Sequence, residues 1–241
     1  VTELGVLEGH AGCVQAVAFG PSGYSESGAR NCQLENSLVV TGSKDGTVRV
    51  WDLDMLTPAA ATVPSEAAAR GTGIGPSHVG HRQPVTCVQL SRDGSNAATG
   101  SEDGTVRIWD VATGTEKAVL LGHTDSSFGG RAGARVTAVA WSNAGDLLAT
   151  GSSDAILLVW NPRTYVLQRS INMREEMRME RVQKLQFSGD DRHLMCISDS
   201  VMTSVWSREG TFRFSLYHGL PHSGFDESDD DDDGGGDGGG G

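Results

Sequence analysis

TGSKDGTVRVWD (residues 41–52), TGSEDGTVRIWD (99–110) and TGSSDAILLVWN (150–161) are three versions of one run. Their tryptophans, Trp51, Trp109 and Trp160, each stand nine residues after a glycine: Gly42, Gly100 and Gly151. A fourth tryptophan, Trp206, closes a fourth β-rich run. Upstream of each lies an apolar triplet at fixed offsets: Val14/Val17/Phe19, Val85/Val88/Leu90, Val136/Val139/Trp141 and Val182/Leu185/Phe187. The triplet ends nineteen residues before the tryptophan in the last three units and thirty-two before it in the first. Gly9-His10, Gly80-His81 and Gly122-His123 precede three of the triplets. Self-similarity at a fixed spacing marks an array of one repeated supersecondary unit.

Each unit reads as four strands. Val and aromatic residues dominate the triplet stretch, and such side chains suit a pleated, half-buried surface. A turn cluster such as SRDG (91–94) follows, and then a second run, LVVT (38–41) or LLAT (147–150). Asp45-Gly46 and Asp103-Gly104 predict tight hairpins into a third strand, because Asp and Gly accept the positive φ such turns need. EKAVL (116–120), YVLQR (165–169) and TFRFSL (211–216) supply fourth strands. One four-stranded sheet cannot bury both faces alone, so the units must stack on one another.

Gly-His, Asp-Gly and Trp-Asp at matching registers resemble the WD-repeat family of β-propellers, over roughly residues 5 to 217. The resemblance implies an all-β propeller of four-stranded antiparallel blades. About four are visible, near 9–63, 80–121, 122–171 and 180–217, in a propeller region 1–217 followed by an acidic Asp/Gly tail, 218–241. Most propellers of the family close with seven blades, so an incomplete ring from a longer protein is expected. TELGVL (2–7) stands where the last strand of a preceding blade would lie, and the start at Val1 instead of Met fits that expectation.

In the family, a hydrogen-bond chain links the His before the first strand, a Ser or Thr on the second, the turn Asp and the third-strand Trp. The matching sets are His10, Thr41 or Ser43, Asp45 and Trp51; His81, Thr99 or Ser101, Asp103 and Trp109; His123, Thr150 or Ser152, Asp154 and Trp160. A buried carboxylate and imidazole are tolerable only when paired and hydrogen-bonded. The residue types are also those of a Ser/His/Asp hydrolase, but recurrence in three successive units favours a structural role. Unit three departs from the pattern with Ala155 and Asn161; unit four lacks the Gly-His pair and has Ser200 in place of the turn Asp.

Residues 20–37, 64–79 and 124–135 read as flexible insertions rich in small residues. GTGIG (71–75) lacks the Lys-Ser/Thr and the strand-to-helix context of a phosphate-binding loop. Met173/Met177 and Glu176/Glu180, each four apart, predict one or two helical turns that pack their methionines inward. The tail has no apolar residue in 226–241 and a run of like charge, and reads as a solvated segment, not a calcium loop.

The formal net charge is −12, from 31 acids and 19 bases. Eight of the acids lie in 226–241, leaving 23 acids against 19 bases in the body. That near-neutral body does not support phosphate neutralisation, so no nucleic-acid partner is expected. No stretch approaches the ~20 apolar residues of a membrane span. Cys13, Cys32, Cys87 and Cys196 are scattered without a CxxC pair, which argues against a zinc site or disulfide framework and for a reducing, intracellular setting. Neither a cofactor nor a metal is expected.

The resemblance implies a protein–protein interaction scaffold or adaptor without catalysis of its own. Candidate contacts are Lys44, Glu102 and Ser153, just before the turn Asp, together with Arg82 and Arg135. A finer reading comes from LATGSSDAILLVWNPR (148–163), which resembles the box of WD-repeat substrate receptors in cullin-4 ubiquitin ligases. There Arg163 would meet the ligase adaptor. A propeller enzyme would need a channel lined by acids or histidines of several blades, and those positions are mostly apolar or belong to the hydrogen-bond sets.

Overall fold

A computed structural model describes residues 6–20, 38–52, 73–74, 80–125, 127, 131–177, 181–198 and 202–217. Four antiparallel sheets, each a four-stranded meander in chain order, are arranged as a four-bladed β-propeller. The first blade comprises β1 (Val14–Phe19), β2 (Leu38–Ser43), β3 (Val48–Asp52) and β4 (Gly73–Ile74). The second comprises β5 (Val85–Leu90), β6 (Asn96–Ser101), β7 (Val106–Asp110) and β8 (Glu116–Leu120). The third runs β9 (Val136–Trp141), β10 (Leu148–Ser152), β11 (Ile156–Asn161) and β12 (Val166–Asn172). The fourth runs β13 (Val182–Phe187), β14 (His193–Ser198), β15 (Met202–Ser207) and β16 (Phe212–Tyr217).

The core lies between blades. Val40, Val48 and Val50 of the first blade pack with Val85, Leu90, Ala97 and Trp109 of the second. Ala98, Val106, Ile108 and Leu120 on the second blade's other face pack with Val136, Val139, Trp141, Leu148 and Trp160 of the third. Ala138, Ala149, Leu157 and Val159 then meet Val182, Leu185, Phe187 and Trp206 of the fourth. In the second and third blades the alternation of strand side chains thus serves two neighbours, and each of these blades owes its burial to both.

The hairpin turns behave as their sequences require. Gly46 and Gly104 hold φ of 79° and 78°, and at the equivalent place Ala155 holds 66° despite its Cβ. One sequence expectation needs correction: Gly73 and Ile74, read as part of a loop, pair with Arg49 and Val48 as the first blade's outer strand. The backbone ladder needs only two residues there, so no periodic apolar run announced it. Met173–Met177 forms a short helix, α1, and Met173 is fully buried with its Sδ 3.6 Å from Cys196 Sγ. Cys32, Ser200, the tail and most of the first two insertions lie outside the described residues. Among those residues, no helix is long and apolar enough to cross a membrane, and no cluster of three or more potential metal ligands occurs.

Candidate functional site

In the second blade a continuous hydrogen-bond chain crosses the sheet. The Trp109 indole N–H donates to Thr99 Oγ1 at 2.8 Å. With its oxygen so engaged, the Thr99 hydroxyl donates to His81 Nε2, also at 2.8 Å. That network assigns the imidazole proton to Nδ1, which faces Thr105 Oγ1 at 3.1 Å and Asp103 Oδ2 at 3.3 Å. Thr105 in turn donates to Asp103 Oδ1 at 2.6 Å, and the Arg82 backbone N–H donates to Oδ2 at 2.9 Å. Burial pushes the Asp103 carboxyl up, but the hydrogen bonds from His81, Thr105 and Arg82 outweigh it and hold it well below the ordinary carboxylate range.

The first blade repeats the arrangement. Trp51 donates to Thr41 (2.8 Å), which donates to His10 Nε2 (2.7 Å), while Nδ1 faces Thr47 (2.9 Å) and Asp45 (3.3 Å). Burial lowers the His10 pKa against the raising influence of Asp45, so the pair is a neutral imidazole against a carboxylate. Asp45 is likewise held well below the carboxylate range: burial raises it, and the hydrogen bonds of Thr47 and Ala11 outweigh that effect.

The third blade keeps only half of the chain. Trp160 donates to Thr150 at 3.0 Å, and His123 Nε2 lies 2.9 Å from Thr150 Oγ1. Ile156 occupies the place of Thr47 and Thr105, and His123 Nδ1 is buried without a hydrogen-bond partner among the described residues. Asp154 instead accepts from the Ser152 hydroxyl and the Arg131 backbone N–H. Burial drives the His123 imidazole down to about 4, although the Asp154 carboxylate pulls the other way. In the fourth blade Cys196 stands at the threonine register, and Trp206 donates to Ser204 at 2.9 Å. Burial pushes the Cys196 thiol up to about 12.

The three sets therefore use Thr41, Thr99 and Thr150, while Ser43, Ser101 and Ser152 serve the turns. Sequence reading missed Thr47 and Thr105, whose signal was the residue after each Asp-Gly. Chemically these groups are ill placed to act on a substrate. The His81 side chain is 0% exposed, Thr99 is fully buried, and the Thr99 oxygen is held by an indole N–H. A general base must reach the proton it abstracts.

The candidate contact residues lie in two groups. Lys44 and Arg82 are exposed, and Glu102 and Ser153 half-exposed, beside the turns of their blades. Arg135 reaches back to Glu102 at 3.2 Å, joining the second and third blades. This pair borders a cleft of about 270 Å³, also lined by Gln15, Thr86, Thr137 and Arg181. Arg163 sits at the opposite ends of the strands. Its turn is set by Asn161, whose Oδ1 accepts the N–H of Arg163 (2.9 Å) and of Thr164 (3.2 Å). Asp110 does the same for Thr113 at 3.0 Å, so Asn161 is a working replacement for Asp. The exposed Arg163 borders a cleft of about 330 Å³ with Arg92, Asp93, Trp141 and Asn143.

Radial four-stranded blades braced by indole–hydroxyl–imidazole chains define the class as a β-propeller of repeated units. The model of the WD domain, G-beta repeat, matches residues 1–52, 75–110 and 114–161, and the chain belongs to the WD-repeat family. It is 28% identical over 193 residues to a guanine nucleotide-binding protein subunit beta of Oryza sativa subsp. indica, covering 79% of this chain and 46% of that one. It is 38% identical over 116 residues to the small ribosomal subunit protein RACK1y of Oryza sativa subsp. japonica, covering 47% and 30%. The chain spans about half the length of the guanine nucleotide-binding relatives it matches. Among solved structures, the crystal structure of the computationally designed Ika4 protein matches with a TM-score of 0.55 and 27% identity, covering 91% of this chain and 99% of that one.

Proposed function

We propose that this chain is a protein-interaction scaffold or adaptor that performs no chemistry of its own. The observation that carries the reading is where its polar groups go. The imidazoles and carboxylates that could do chemistry are turned inward as braces, while the cations and acids beside the turns face outward. Loops held on a rigid frame are where binding usually resides. Two relatives are named as subunits of larger assemblies, a guanine nucleotide-binding protein and a small ribosomal subunit. Lys44, Arg82, Glu102, Arg135 and Ser153 are the proposed contacts. The test is affinity capture of the chain beside Lys44→Glu/Arg82→Glu. Loss of a captured protein at an unchanged denaturation midpoint supports the reading, and an identical capture profile removes these residues from it.

A finer reading makes the chain a substrate receptor of a cullin-4 ubiquitin ligase. It is favoured by Arg163, whose exposed guanidinium makes no hydrogen bond or ion pair among the described residues. A free guanidinium can take a carboxylate in a forked pair. Arg163→Ala should abolish co-purification of the cullin-4 adaptor and leave the fold intact. Equal recovery of that adaptor with both proteins, or none with either, rejects this reading and leaves the general one.

A further inference from the structure

At the end of the strands away from the Asp-Gly turns, the seam between the third and fourth blades is closed by two side chains. The carboxylate of Asp191 crosses it and accepts the backbone N–H groups of Asn143 and Ala144, each at 2.7 Å. The Asn143 side-chain amide adds a third donor at 3.0 Å. Asp191 is buried there, and Arg208 crosses the same seam to pair with Asp146.

The turns that meet at this seam recur one seam earlier. Ser91, Ser142 and Ser188 open equivalent turns: each N–H bonds to the carbonyl five residues on, and each carbonyl accepts the N–H of Gly94, Gly145 or Asp191. Those three residues hold φ of 70°, 68° and 55°. Gly145 thus stands in the third blade where Asp191 stands in the fourth. The repeat places the backbone N–H groups of Arg92 and Asp93 where those of Asn143 and Ala144 donate. Pro162 and Ser95 take the places of Arg208 and Asp146. Neither side chain that closes the later seam has a counterpart between the second and third blades.

Open space takes their place. A Cβ added at Gly145 would meet nothing within 4 Å. The space belongs to the cleft of about 330 Å³ that Arg92, Asp93, Trp141 and Arg163 also line. Trp141 is 7% exposed, and its indole N–H has no hydrogen-bond partner among the described residues. Of the charged side chains on the cleft, Arg92 and Arg163 are cations and Asp93 is the single acid. The Asp93 oxygens are held by Ser91 and Ser95. Successive backbone N–H groups of a turn make a concavity for an anion, and a guanidinium takes a carboxylate in a forked pair.

We infer, resting on the scaffold reading and not on the ligase one, that this cleft is a docking site for an aspartate or glutamate side chain of a protein partner. The partner's carboxylate takes the place that Asp191 takes one seam later. The filled seam supplies the chemistry of the occupant, a carboxylate carried on a turn. The cleft has room for the backbone that bears it, and the exposed Arg163 stands at the rim to pair with it.

The probe is the molecule's own occupant, the acetylated and amidated hexapeptide SGDDRH (188–193), beside a version with both aspartates changed to asparagine. Each is titrated into the full chain and followed by the NMR signals of the Arg92, Asp93 and Gly145 amides and the Trp141 indole. The acidic peptide should shift these signals saturably, and the asparagine peptide should bind about tenfold more weakly, because a charged acceptor bonds more strongly than a neutral one. Arg163→Ala should weaken the acidic peptide, and Gly145→Asp, which supplies the carboxylate within the chain, should abolish its binding. Asp tolerates the left-handed backbone, as Asp191 does at the equivalent turn. The denaturation midpoint of Gly145→Asp should therefore exceed that of Gly145→Ala, which adds the Cβ without the carboxylate. An acidic peptide that shifts none of these signals, or binds no better than its asparagine version, overturns the docking site. A Gly145→Asp midpoint no higher than that of Gly145→Ala overturns the carboxylate's place. Capture through Lys44 and Arg82 is read at the opposite ends of the strands, so the scaffold reading stands or falls separately.

Discussion

The second and third blades build the same indole–hydroxyl–imidazole chain and finish it differently. His81 ends on Thr105 and Asp103, whereas Ile156 takes the threonine's place by His123, whose Nδ1 has no hydrogen-bond partner among the described residues. Two consecutive residues make the difference: Ala155 for Gly104 and Ile156 for Thr105. Ala155 holds the backbone at φ 66°, which costs an L-residue on the order of 1–2 kcal/mol. In return both side chains are buried: Ala155 against the fourth blade, Ile156 against the second. The third blade has replaced polar closure with apolar packing. The comparison separates the parts of the brace, because the Trp–Thr–His half survives where the link from His to Asp is lost.

The largest effect should come from the part both blades share. Trp109 is 2% exposed, packs between the first two blades and is the donor to Thr99. Trp109→Ala should cost about 3–5 kcal/mol in chemical denaturation. A loss below about 1 kcal/mol would mean that the indole is not the anchor of the blade.

Acid should then distinguish the two blades. An imidazole whose folded pKa lies below its unfolded value of 6.5 leaves the unfolded chain binding the extra proton at intermediate pH. The contribution of His123 is therefore present above pH 6.5 and is lost as pH falls towards 4, by on the order of 3 kcal/mol. Asp45 and Asp103 are depressed carboxylates, so their contributions hold above the ordinary 3.8 and are lost only at lower pH. Denaturation midpoints followed against pH should show both limbs. His123→Gln should flatten the upper one only, and a parent with no upper limb contradicts the buried neutral imidazole.

A smaller effect isolates the missing link. A double-mutant cycle between His81→Ala and Thr105→Val should give a coupling of about 0.5–1.5 kcal/mol. The matching cycle between His123→Ala and Ile156→Val should stay below about 0.5 kcal/mol. Equal couplings would mean that the threonine adds nothing to the brace. The smallest effect should come from a segment belonging to neither blade. Deleting residues 226–241 removes eight acids and no apolar side chain, so the midpoint should shift by less than about 0.5 kcal/mol. A larger drop would mean that the tail packs on the propeller.

Much of this was legible because the repeat fixes register through covalent spacing. Trp51, Trp109 and Trp160 fall at equivalent third-strand positions with the spacing their sequences share. The choice of hydroxyl was not legible. Thr99 and Ser101 lie two apart on one strand face, and only the pairing of Thr99 with Arg107, beside Trp109, decides between them. The pairing of Arg135 with Glu102 joins two repeats, and spacing within one repeat carries no trace of it. Gly73–Ile74 was missed because a two-residue strand among small residues has no period to read.

The central claim is that the histidine sets brace the blades, and His81→Ala tests it most directly. The substitution leaves the buried Thr99 hydroxyl without its acceptor and strips Asp103 and Thr105 of their ring partner. Equilibrium chemical denaturation should show a loss of about 1–3 kcal/mol, the cost of unsatisfied buried polar groups. A midpoint indistinguishable from that of the parent would contradict the account.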